Sequence, residues 1–100
     1  MAMKRNPPLS FESAEAIALQ GLTFLASDTA RLARFLSLTG IGPAELRAWA
    51  DTPRLQAAVT EHLLADESLL LVFASESGTE PEAVGRAFTL LQGAAEAESG

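Results

Sequence analysis

The chain has 100 residues, enough for one domain and not two. It holds 19 Ala and 16 Leu but only five Val and Ile and no Tyr, which excludes an all-β or α/β fold and predicts an all-α one. The absence of Cys removes disulfides, zinc–thiolate sites and thiol catalysis, and a net charge of −6 argues against polyanion binding.

Residues 1–9 read as a flexible lead, because Pro7-Pro8 blocks helix and holds the preceding residues extended. Ser10 or Ser13 caps a first helix. Its stripe is Ala14, Ile17, Ala18, Gly21, Leu22 and Leu25, widened by Leu19 and Phe24. Gly21 inside that helix predicts a close approach of a second helix. Lys4-Arg5 ahead of this stretch invites comparison with a secretory signal, but Glu12, Glu15 and Gln20 interrupt the apolar block. It reads instead as the first helix of a cytoplasmic protein.

Ser27-Asp28 caps the second helix, with Leu32, Phe35 and Leu36 inward, Arg31 and Arg34 outward, and Gly40 as its stop. Gly42-Pro43 starts a short third helix, whose Leu46 and Trp49 share the predicted inner face. Thr52-Pro53 starts a fourth, with Leu55, Ala58, Val59, His62 and Leu63 as its stripe. Asp66 caps a fifth, whose apolar run Leu69–Phe73 predicts burial on more than one side. Gly78 ends it. Glu80-Pro81 starts a sixth, with Val84, Ala87, Phe88 and Leu91 inward. The predicted domain is 10–94, and residues 95–100 are expected to fray. The longest strictly apolar run, Leu69 to Ala74, is far short of the ~20 residues a membrane span requires.

A shift of 38 positions superimposes Leu25 on Leu63, Asp28 on Asp66, Leu32 on Leu70, Phe35 on Phe73, Ser37 on Ser75, Gly40 on Gly78 and Pro43 on Pro81. The matches fall mainly on caps, core anchors and stops. The expected architecture is a compact bundle of five to six short helices, arranged as two pseudo-symmetric three-helix units. Duplication and convergence on the same punctuation both give this pattern. The charge is not shared equally. Residues 1–54 carry six basic against five acidic groups, and residues 55–100 one against eight.

Little here suggests catalysis. His62 is the only His and lies on the apolar side of its helix, where a core-edge imidazole donating to a carbonyl is expected. No second His and no Cys completes a metal site, and Ser and Thr have no other base. We therefore expect no catalytic, cofactor-binding or metal-binding residues. Leu38 is more informative. Its 38-shifted counterpart is Glu76, so the position faces water, and an exposed Leu38 is an interface candidate. With Trp49 it nominates an interaction surface that Arg31, Arg34 and Arg47 would flank, with Arg54 near them. The same arginines also suit an ordinary solvated face.

Residues Leu38-Thr39-Gly40-Ile41-Gly42-Pro43-Ala44 resemble the turn of helix-hairpin-helix DNA-binding modules. There a Gly-hydrophobe-Gly turn brings backbone N–H groups to a phosphate. Such turns usually continue with Lys or Arg, whereas Pro43, Ala44 and Glu45 follow here. An ordinary C-cap Gly followed by an N-cap Gly gives the same residues.

Residues Ser13 to Leu25, Leu32 to Leu36, Gly42 to Arg47 and Leu64 to Phe73 together resemble a small alphaproteobacterial family catalogued as a domain of unknown function. The resemblance spans about 13–92. It implies an all-helical, cytoplasmic bacterial protein in a regulatory or stress setting, with no assigned activity or site residues. The family's usual turn before the third helix has an acid and Pro where this chain has Gly42-Pro43. The expected function is a non-enzymatic protein-interaction or regulatory module, acting on a protein partner or as a homodimer. The alternative is weak, sequence-independent DNA binding through residues 38–47.

Overall fold

The computed structural model describes residues 8–99. Residues 1–7 of the expected lead lie outside them. Six helices fill the described residues: α1 (Phe11–Ala26), α2 (Thr29–Thr39), α3 (Pro43–Trp49), α4 (Pro53–Leu64), α5 (Glu67–Ser77) and α6 (Pro81–Ser99). No strand occurs among them. The expected all-α bundle is what the chain forms. Its radius of gyration of 13.8 Å is near the ~13 Å of a compact chain this long.

Local chemistry sets the boundaries. Ser10, Asp28, Thr52 and Asp66 each turn a side-chain oxygen onto the N–H three residues on. That satisfies one of the donors every helix start leaves open, a contribution of about 1 kcal/mol each. Pro43, Pro53 and Pro81 occupy first helical positions, where their missing N–H costs nothing. Gly40 and Gly78 close α2 and α5 in the left-handed region, both at φ 74°. α6 continues through residues 95–99, where the sequence leads one to expect fraying.

α1, α4 and α6 form the centre: α1 and α4 each pack more extensively on α6 than on one another. α2 and α5 flank this layer. The first stripe is buried as its spacing predicts, with Ala14, Ala18, Leu25 and Phe24 inside. Gly21 is where α1 meets α4. A Cβ there would lie 3.0 Å from both Leu63 Cδ1 and Val59 Cγ1, so the close approach expected from the sequence is real. Leu19, by contrast, is 49% exposed.

The ring contacts repeat across the shift of 38. Phe24 of α1 stacks edge-on against Phe73 of α5, centroids 5.5 Å apart, and His62 of α4 stacks edge-on against Phe35 of α2 at 5.2 Å. Adding 38 to Phe24 gives His62, and subtracting 38 from Phe73 gives Phe35. In each half, then, a ring from the helix preceding the turn meets a ring from the flanking helix of the other half.

Two further sequence expectations fail. The run Leu69–Phe73 is not buried on several sides. Phe73 is fully inside, but Leu71 is 52% and Val72 38% exposed. Five consecutive helical residues sweep more than a full turn at about 100° per residue, and α5 keeps one face turned to solvent. Trp49 is the second. It does not share the core with Leu46, which packs against it. α3 has seven residues and buries none of them fully. So short a helix brings one side chain down onto the core, and the Trp49 ring is left 42% exposed.

Candidate functional site

The nominated surface is a groove of about 510 Å³ between the end of α2, α3 and α4. α2 contributes Leu38 and Thr39, and Ile41 follows its stop. α3 contributes Glu45 and Trp49, and α4 lines the far wall with Arg54, Leu55, Ala58 and Glu61. Leu38 is 64% exposed, the most of any large apolar side chain described. It stands at the rim because α2 is amphipathic: Phe35, three residues earlier, takes the core contact. Thr39 donates its hydroxyl to the Phe35 carbonyl at 2.7 Å, which fixes the last turn behind Leu38. Trp49 is anchored through its backbone, whose carbonyl accepts from both the N–H and the hydroxyl of Thr52.

The turn that resembles a helix-hairpin-helix is closed on itself. Glu45 reaches back and accepts the Gly42 N–H at 2.8 Å. That N–H is one of those such a turn would offer a phosphate, and a carboxylate already holds it.

The arginines answer to different neighbours. Arg31 lies over the Phe24 ring, 4.4 Å from its centroid, a cation–π contact. Arg34 is close enough to His62 to disfavour its charged form. Arg47 is exposed in the last turn of α3, where its charge suits the helix dipole. Only Arg54 lines the groove, so the structure does not gather the nominated arginines there. His62 is half-buried, and among the described residues no hydrogen bond joins its ring to a carbonyl; the Phe35 contact replaces the expected donation. Burial first, and Arg34 second, hold its imidazole below the usual range, while Asp66 pulls the other way. Among the described residues, no three His, Cys, Asp or Glu side chains gather in a way that would hold a metal ion.

A second cleft was not foreseen. It lies between α1 and α5, has a volume of about 400 Å³, and is lined by Leu19, Gln20, Thr23, Phe24, Phe73 and Glu76, among others. The shift of 38 carries Gln20, Thr23, Phe73, Glu76 and Ser77 of this cleft onto Ala58, Glu61, Phe35, Leu38 and Thr39. All of these except the buried Phe35 line the first groove. The two are twin sites. Beside the α1–α5 cleft, Thr79 donates its hydroxyl to Gln20 Oε1 at 3.2 Å. In the α2–α4 groove, the matching residues are Ile41 and Ala58.

A family model described as "Protein of unknown function (DUF3572)" matches residues 11–94. The chain belongs to this family. The DUF3572 match covers all of α1 to α5 and most of α6, and hence both clefts and every nominated residue. No curated protein and no solved structure matches the chain. No helix among the described residues is long and apolar enough to cross a membrane.

Proposed function

We propose that this DUF3572 member is a non-enzymatic, cytoplasmic interaction module that docks a protein partner in the Leu38–Trp49 groove. The exposure of Leu38 carries this reading. At the twin position the same helix geometry is completed by Glu76, so folding does not require an apolar residue there. A half-open Trp is the kind of anchor that dominates protein interfaces, and the exposed Leu38 beside it on the same groove extends the apolar surface that marks an interaction site. In this reading the halves descend from one duplicated three-helix unit, and the groove is where the first copy diverged. The matched caps and exchanged ring pairs support that history. DNA binding through residues 38–47 is the weaker reading, because Glu45 occupies the Gly42 N–H.

The test is capture from cells that express the protein natively, with the wild type and Trp49→Ser as parallel baits. A partner enriched on the wild type and lost on the variant supports the reading. Identical partner sets overturn it. Salt-sensitive micromolar binding of a duplex that Gly42→Asp abolishes would promote the DNA reading.

A further inference from the structure

We infer that the protein associates with a second copy of itself head to tail, the Leu38 rim of one copy lying on the Val72–Glu76 face of α5 in the next, along the edge of its α1–α5 cleft. The inference rests on the proposed docking role of Leu38 and names an occupant for that rim. The chain carries both halves of a matched contact. On α2, Arg34 and Leu38 are one turn apart and both exposed. On α5, Val72 and Glu76 are one turn apart and both exposed. Laid antiparallel, α2 of one copy places Leu38 opposite Val72 and Arg34 opposite Glu76. Glu76 lines a cleft whose exposed surface is mostly apolar, with Leu19 on its far wall, so the cleft offers an apolar floor and a carboxylate edge. Among the described residues, neither Arg34 nor Glu76 has an ion-pair partner of its own. The order of apolar and charged groups is reversed between the helices, which is the complementarity an antiparallel contact demands.

A symmetric pairing of like faces fails on the same residues. α5 against α5 brings the carboxylates of Asp66 and Glu67 to Glu76, and α2 against α2 brings together Arg31 and Arg34 of both copies. The heterologous pairing alone sets the basic face on the acidic one. The net charge of −6 opposes association only over a Debye length of ~8 Å in physiological salt, whereas Arg34 and Glu76 would meet directly.

Two variants with one dead face each decide the matter. Arg34→Glu with Leu38→Glu removes the rim. Leu19→Lys with Glu76→Arg removes the cleft edge. All four positions are exposed, and a retained far-UV helical spectrum checks folding. If one double variant unfolds, Arg34→Glu or Glu76→Arg alone takes its place. Analytical ultracentrifugation of the full chain is run up to roughly 1 mM, the weak end of measurable affinity. We expect the wild-type mass to at least double with concentration, each variant alone to stay monomeric, and their mixture to form a 1:1 dimer that grows no further. A wild type that is monomeric throughout overturns the inference but leaves the docking reading to the Trp49→Ser capture, since Trp49 lies outside both contact faces. A self-associating wild type whose variants do not complement overturns the head-to-tail geometry.

Discussion

Helices α2 and α5 each run eleven residues from an Asp cap at φ −133° to a left-handed Gly at φ 74°. In each, the cap carboxylate accepts an N–H at 3.1 Å, one Phe is fully buried, and a hydroxyl four residues on donates to that Phe carbonyl at 2.7 Å. Outside this skeleton they part. α2 shows solvent Ala33, Arg34 and Leu38, whereas α5 shows Leu71, Val72 and Glu76. The shared positions are those the fold constrains. The divergent ones are free of folding duties, and that is where recognition can be written.

The largest test of the comparison is the pair of anchors. Phe35→Ala and Phe73→Ala should each cost about 3–5 kcal/mol. Thermal melts should show both falling by a similar amount, and an unchanged midpoint for either would break the equivalence. Next comes the crossing point. Gly21 and Val59 are themselves 38 apart and in contact, so Gly21→Val makes the two positions identical. With Val59 and Leu63 already 3.0 Å from a Cβ, overpacking should cost about 1–3 kcal/mol in urea unfolding. The Asp28→Ala and Asp66→Ala caps should each lose about 1 kcal/mol, in equal measure.

Smaller still is a gain. A Cβ at Gly85 of α6 meets nothing within 4 Å, so Gly85→Ala should stabilise by up to about 1 kcal/mol. The last test concerns the exchanged ring pairs, which differ only in that His62 stands where Phe24 has its match. Because the His62 pKa is lowered on folding, the unfolded chain binds the proton more readily below about 6.5. Stability should therefore decline as pH falls through that value and level off below the folded pKa. In His62→Phe that component of the pH dependence should vanish, leaving only the carboxylates' share.

Much of the fold is legible in the chain because its punctuation is local. Asp28, Gly40, Pro43, Asp66, Gly78 and Pro81 act through backbone groups within a few residues, so spacing alone announces them. Side-chain direction is less local. Nothing within Leu69–Phe73 says which member faces inward; the neighbours of α5 decide that. Trp49 has the right spacing for a core residue, yet a seven-residue helix gives it no core to reach. Leu38 was legible only by reference to Glu76. The α1–α5 cleft escaped notice because Leu19 looks like part of a buried stripe until α1's neighbours are known.

The place of α6 has a consequence for how the chain comes into being. The helix that covers both α1 and α4 is the last of the six to be made. At ~5–20 residues per second, α1 and α4 are synthesised seconds before their main packing partner is complete. Until then the half-finished chain exposes the apolar stripes of α1 and α4, and it is during this interval that chaperones, proteases or premature contacts between nascent chains would act.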